Sequence, residues 1–183
     1  MSDPSTRGGS AARLVLVAAA VLAALVLQTT VFPHLAWGGV VPDVVLLVVV
    51  AAGLARGSQH AMVLGFFAGA LLDLAPPADH VAGRWALALM LVGYVAGQVR
   101  REATPSVGVC LATVAACSFL GSSVFALSGM ILQDSAASIP DQLGVVLVAV
   151  VWDVLLAALL AALVLGPARR VRPRTRTDGL ARR

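Results

Sequence analysis

The residue of this chain best placed for unusual chemistry is Asp153, which lies inside a long apolar segment. At about 1.5 Å per residue it is about 15 Å beyond Leu143, near the middle of a helix that crosses a bilayer. A carboxylate there costs on the order of 3 kcal/mol, so it indicates a proton relay, an ion ligand or a polar contact. We interpret it as a polar contact to hydroxyls of the preceding segment. The hydroxyls at comparable depth belong to Ser118, Ser122 and Ser123.

Two further aspartates, Asp43 and Asp73, are predicted to make polar contacts. Asp73 is followed closely by Pro76-Pro77, so we expect it at the outer end of its helix, where it caps a helix or pairs with Arg84. Asp43 opens another apolar run. No Cys-x-x-Cys pair or Cys/His cluster occurs, so the sequence predicts no metal or cofactor.

Two pairs of glycines recur at a spacing of four residues, namely Gly65 with Gly69 and Gly93 with Gly97. Glycines four apart share one face of a helix and allow a second backbone to approach closely. Because the pairs lie in consecutive segments joined by a short loop, they predict a tightly packed helical hairpin, with a homodimer as the alternative. Continuing the first face by four residues reaches Asp73.

Enzymatic and transport functions find little support among the polar residues. Gly121-Ser122-Ser123 is compatible with an intramembrane serine protease, but no histidine lies inside a later segment to act as its base. No phosphate-binding loop or His-Glu-x-x-His motif occurs. A secondary transporter would need more polar groups within its segments, and no inverted repeat is evident. The sequence therefore predicts a protein that is not an enzyme.

The composition identifies the environment in which these residues act. The chain is 60% apolar and 12% charged, with a mean hydropathy of +0.94, whereas soluble domains are about a quarter charged. An isolated water-soluble enzyme is excluded. The net charge of +4 is the balance of 13 basic and nine acidic residues. The basic residues are all arginine, and they lie at segment ends and not among aromatic residues. We therefore expect contact with membrane lipid and no binding of nucleic acid.

Six apolar segments predict an all-α integral membrane protein with six transmembrane helices. The second and third are shorter than the usual span of about 20 residues, so they are tilted or shielded by neighbours. Residues 1–13 form a predicted disordered cytoplasmic tail, residues 14–166 a membrane domain and residues 167–183 a basic cytoplasmic tail. The segments are Leu14–Phe32, Val40–Ala55, Ala61–Leu74, Trp85–Val99, Pro105–Leu132 and Leu143–Gly166.

The arginines also predict the orientation of the chain in the cell membrane. With the N-terminus inside, twelve arginines face the cytoplasm and only Arg84 lies outside. Since basic residues near transmembrane ends stay cytoplasmic, both termini are predicted to be inside. The seven arginines between Arg169 and Arg183 should rest on anionic headgroups.

Several short motifs occur in a characteristic order between residues 28 and 101. Together they resemble the rod shape-determining protein MreD family. The motifs are Pro42-Asp43 before an apolar run, Arg56-Gly57, Gly65-Phe66 with Gly69 and Asp73, Gly83, and Gly93-Tyr94-Val95-Ala96-Gly97.

The resemblance implies a non-catalytic, multi-pass subunit of the bacterial cell-elongation machinery. Proteins of this family act with the bitopic protein MreC, the actin-like MreB, the glycosyltransferase RodA and a class B penicillin-binding protein in peptidoglycan synthesis. An MreC-like protein is thus the implied partner. The family is also similar in fold to the S subunits of energy-coupling-factor transporters, so the alternative is a vitamin-binding transporter subunit. Such a subunit needs a pocket with several aromatic and polar groups, and this chain has three Trp, one Tyr and five Phe.

Overall fold

The computed structural model describes residues 4–37, 39–76, 81–100, 106–133 and 139–170. Within these ranges the chain forms six α-helices and one short 3-10 helix, and it contains no β-strand, so the prediction of an all-α fold is confirmed. The helices are α1 (Pro4–Thr30), α2 (Val44–Arg56), α3 (Ser58–Leu74), α4 (Arg84–Val99), α5 (Val107–Ile131) and α6 (Ile139–Arg170), and the 3-10 helix is Phe32–Leu35.

The helix ends differ from the sequence prediction in two places where the chain contains proline. Helix α1 begins at Pro4, within the segment predicted to be a disordered tail. Proline suits a first helical position because its missing N–H needs no partner there. Helix α6 continues through Pro167 to Arg170, although a proline inside a helix usually kinks or ends it. The predicted basic tail from residue 171 onward lies outside the described residues.

Helix α2 begins later than the apolar run that predicts it. The run starts near Val40, but the helix starts at Val44 with Asp43 as its N-cap. The reason is local, because the residue before a proline is pushed out of the helical region, and Pro42 places Val41 in that position. An aspartate after the proline then favours helix initiation.

Among the described residues, two helices are long and apolar enough to cross a membrane, Val107–Ile131 and Ile139–Leu163. Helices α2, α3 and α4 are apolar but shorter, and in the 27-residue α1 the apolar part is Val15–Thr30. The 13 residues of α2 extend for about 20 Å, less than the bilayer core of about 30 Å. Large apolar side chains of α6, such as Leu155 and Leu159, are more than half exposed, as expected of a surface that faces lipid.

Short as it is, α2 lies at the centre of the bundle and contacts each of the other five helices. Its most extensive contact is with α4, and α4 packs in turn against α3 and α5, while α6 packs on α5. A single residue, Gly57, connects α2 to α3 with a φ of +87°, a conformation that favours glycine. Fully buried residues of the core include Val45, Leu46, Val49, Val50, Leu89, Val92, Ala96 and Cys117.

Candidate functional site

Four polar side chains converge where α2 begins, and we call Gln28, Asp43, Ser118 and Asp153 the central polar cluster. The carboxylate of Asp153 is 1% exposed. Its Oδ1 accepts a hydrogen bond of 2.6 Å from the main-chain N–H of Asp43, and its Oδ2 accepts one of 2.6 Å from the hydroxyl of Ser118. Asp153 therefore ties α6 to both α2 and α5.

The same cluster satisfies further donors in the first turn of α2. Oδ1 of Asp43 accepts from the N–H of Leu46 at 2.9 Å, and Oε1 of Gln28, on α1, accepts from the N–H of Val45 at 3.1 Å. The first N–H groups of a helix have no partner inside it and must find acceptors elsewhere. Here the acceptors come from α1, from α6 and from the N-cap itself, so three elements meet at one helix start.

The central polar cluster lies deep along α5 and α6, which have the length and hydropathy of membrane spans. Asp153 is about 21 Å along α6 from Ile139, and Ser118 is about 20 Å along α5 from Ile131, at about 1.5 Å per residue. Helix α2 thus begins beside the middle of α5 and α6. The segment before it runs along the first part of α6, where Trp37 and Val40 border a small cavity with Gly144, Val145 and Val148.

This geometry gives the buried carboxylates a favourable electrostatic partner. The N-terminal end of a helix carries a partial positive charge from its unpaired N–H groups. The carboxylates of Asp43 and Asp153 both lie at that end of α2. The helix terminus therefore offsets part of the cost of holding acidic groups among apolar helices.

Asp73 performs a similar capping role where α3 ends and α4 begins. Its Oδ2 accepts from the N–H groups of Gly83 at 2.9 Å and Ala86 at 3.1 Å, and its Oδ1 accepts from Trp85 at 3.1 Å. The side chain is 4% exposed. These three bonds are those of a helix cap, and they hold the end of α3 to the start of α4.

Arg84 connects the start of α4 to α5, a contact that sequence reasoning missed. Its guanidinium donates to the carbonyl of Phe125 at 2.8 Å and lies 3.9 Å from the centre of that ring. Trp85 stacks on the same ring at 4.5 Å. An arginine beside an aromatic residue of another helix can gain cation–π attraction, but neither residue type signals the pairing in the sequence.

The four predicted packing glycines all lie at the contact between α3 and α4. A Cβ added to any of them would overlap main-chain atoms of the facing helix. Gly65 faces Leu89, Gly69 faces Trp85, Gly93 faces Ala61 and Gly97 faces Ser58. Close backbone approach of this kind maximises van der Waals contact where no hydrophobic force acts between helices.

A fifth packing glycine, Gly53 on α2, was not singled out from the sequence. A Cβ there would lie 2.8 Å from the Cβ of Ala96 and 2.9 Å from the main-chain N of Gly97. The sequence shows only that residue 53 is small. Its contact with Ala96 and Gly97 on another helix is visible only in the structure. Gly97 is therefore enclosed by α3 on one side and by α2 on the other.

The side chains of the central polar cluster and of Asp73 bond to helix starts or to one another across helices. The three aspartates accept hydrogen bonds from main-chain N–H groups, and Ser118 is the serine that bonds Asp153. Among the residues that the structure describes, no three His, Cys, Asp or Glu side chains come together as metal ligands would. Such contacts fix helices relative to one another.

Comparison with known protein families identifies a match over most of the chain. The family model described as rod shape-determining protein MreD matches residues 9–168, nearly the whole chain. The matched range includes the central polar cluster, Asp73 and the packing glycines. No curated protein sequence and no solved structure matches at a significant level.

Proposed function

The chain belongs to the MreD family of rod shape-determining membrane proteins, and on this premise we propose that it is a non-catalytic scaffold subunit of the cell-elongation machinery. In this role it takes part in the regulation of cell shape and peptidoglycan synthesis by binding an MreC-like bitopic partner. MreB, RodA and a class B penicillin-binding protein are the further proposed members of the assembly.

The observation that supports a scaffold most directly is that three buried aspartates bond to the main chain at helix starts. Asp43, Asp73 and Asp153 are 8%, 4% and 1% exposed, and each accepts hydrogen bonds from a helix start. A catalytic or transported group needs access to such carboxylates. Groups that are enclosed and bonded to main-chain donors instead give the bundle a defined shape that a partner can recognise.

We further propose six membrane crossings with both termini in the cytoplasm. This arrangement is supported by six helices in the described ranges, of which two have the length and hydropathy of a span, and by the distribution of arginines. The shorter helices α2, α3 and α4 are accommodated because α2 is enclosed by the others and the bilayer can thin around short helices. A homodimer is an alternative assembly state.

The alternative function is that of a vitamin-binding membrane subunit of a transporter. The two functions make opposite demands on the bundle. A vitamin site needs convergent polar and several aromatic groups in a cavity, whereas the side chains of the central polar cluster are engaged with other helices. The described residues that line the groove between α1 and α3 include one Phe and no Trp or Tyr. The scaffold proposal is therefore preferred, and the experiment below distinguishes the two.

The proposed function is tested by depletion of the protein combined with purification of its complexes. Gentle detergent extraction of the tagged full chain should recover a bitopic MreC-like protein. Depletion should change cell shape and the pattern of new peptidoglycan in a cell of rod morphology. If depletion left both unchanged and abolished uptake of a vitamin, the transporter function would replace the scaffold.

A further inference from the structure

A groove opens between α1 and α3, both of which pack on α2. Its volume is about 720 Å³, within the range of about 300–1,000 Å³ typical of small-molecule sites. Ala52 and Ala68 line it with small side chains, and the larger apolar side chains of Leu22, Phe67 and Leu71 border it. These three are between 40% and 62% exposed, so the groove is open towards the surrounding lipid.

The polar residues of the groove include three at the end where α2 passes into α3. Arg56 is the last residue of α2, and Gln59 and His60 lie in the first turn of α3. All three are exposed. Guanidinium, amide and imidazole groups are hydrogen-bond donors suited to a phosphate. Arginine placement puts this end at the cytoplasmic surface of the membrane in the proposed orientation.

The dimensions of the groove favour a lipid over a transmembrane helix of a partner. From His60 to Leu71, α3 advances about 17 Å at about 1.5 Å per residue, and α1 borders the groove only between Val17 and Leu22. A partner helix that crosses the membrane would need a surface of about 30 Å, whereas one leaflet of the hydrocarbon core is half of that. The groove matches one leaflet, with the hydrogen-bond donors of Arg56, Gln59 and His60 at its headgroup end.

We propose that this groove binds one anionic glycerophospholipid of the cytoplasmic leaflet. Its phosphate lies at Arg56 and His60, and one acyl chain lies over Ala52 between Leu22 and Phe67. Charge complementarity selects the anionic headgroup, and the apolar walls accept the chain. This site is separate from the central polar cluster, and it does not depend on the identity of a protein partner.

The test uses the full chain in nanodiscs made from an equimolar mixture of phosphatidylglycerol and phosphatidylcholine, followed by native mass spectrometry of the released protein. We expect one phosphatidylglycerol to be retained in preference to phosphatidylcholine. Arg56→Gln should lower that preference about fivefold, the change expected for removing one basic residue from an anionic surface. Arg100→Gln is the matched control, since Arg100 is an exposed arginine on the same side that does not line the groove.

A second variant pair tests the acyl chain site. Ala52→Leu should fill the groove and reduce lipid retention, whereas Ala51→Leu, on the exposed neighbouring residue, should leave it unchanged. Equal retention of both lipids by the natural sequence, or equal effects of the two variants in a pair, would overturn the proposal.

Photo-crosslinking of the unmodified chain avoids any dependence on variant folding. A phosphatidylglycerol with a diazirine in its acyl chain should label peptides that contain Val17–Leu22 and Val63–Leu71. Labelling spread evenly over these helices and the exposed face of α6 would contradict a defined site. A single-span protein could instead co-purify with the chain and protect the groove peptides from labelling, with no lipid retained. That result would assign the groove to a protein partner and would also overturn the lipid proposal.

Discussion

The carboxylate of Asp153 and the main-chain N–H of Asp43 are joined by a hydrogen bond of 2.6 Å, although 110 residues separate them in the chain. The donor belongs to the residue that caps α2, so α6 completes a helix start that lies near the other end of the sequence. Because α2 contacts all other helices, this bond fixes the central element of the bundle.

Replacement of Asp153 should lower the free energy of unfolding, and the loss should grow with the number of its two accepted hydrogen bonds that the new side chain cannot form. In Asp153→Leu the N–H of Asp43 and the hydroxyl of Ser118 lose their acceptor, at about 1–3 kcal/mol for each buried group. Asp153→Asn keeps one carbonyl acceptor and should cost less. Thermal unfolding of the purified variants in one detergent measures the difference. Equal stability of the Leu variant and the natural protein would show that the bond contributes nothing.

A double-mutant cycle separates this contact from general effects of substitution. Ser118→Ala combined with Asp153→Asn should show a coupling of about 0.5–3 kcal/mol, as is usual for residues in direct contact. Ser122→Ala is the matched control on the same helix and should be additive with Asp153→Asn. In proteoliposomes, a proton flux that disappeared in Asp153→Asn would instead make this carboxylate a proton carrier.

The cap formed by Asp73 predicts a local effect on α4. Asp73→Ala removes the acceptor of three main-chain N–H groups, and loss of an N-cap costs about 0.5–2 kcal/mol. We expect faster hydrogen exchange in the first turn of α4 and a lower unfolding temperature. Leu74→Ala, at the adjacent residue with 74% exposure, is the control. If both substitutions changed exchange equally, the cap would not be the cause.

Much of the helix arrangement follows from local sequence signals, whereas the partners across the bundle do not. Four-residue glycine spacing indicates one close-packing face on each of two consecutive helices, and the structure places those faces together. The hydrogen bond from the main-chain N–H of Asp43 to Asp153, by contrast, could not be predicted from the sequence. A main-chain N–H has no residue signature, and the register of α6 against α2 depends on packing of the whole bundle. The start of α2 differs from the prediction for a local reason, since hydropathy does not distinguish an apolar loop from a helix and Pro42 keeps Val41 out of the helical region.

The glycine contacts predict strong sensitivity to a single methyl group. In Gly97→Ala the new Cβ would overlap main-chain atoms of Gly57 and Ser58, and overpacking typically costs about 1–3 kcal/mol. Gly144→Ala adds the same atom at a helical glycine with open space around it, and it should be neutral or slightly stabilising. The unfolding temperatures of the two variants and their recovery of the proposed MreC-like partner provide the comparison. Equal behaviour would show that close approach of α3 and α4 is unimportant.

The proposed orientation makes a prediction for the whole chain. Because arginines near transmembrane ends remain cytoplasmic, a reporter fused after Arg183 should be active only if it functions in the cytoplasm. A fusion within residues 77–80, between α3 and α4, should show the opposite behaviour, because six crossings place that loop outside. Each fusion site is tested with both a cytoplasmic and an extracytoplasmic reporter. A fusion that is poorly expressed is then inactive with both reporters and is not mistaken for a change of orientation. An extracytoplasmic signal from the C-terminal fusion would require an odd number of crossings if the N-terminus is inside. One of the short helices, with α2 as the first to examine, would then not cross the membrane.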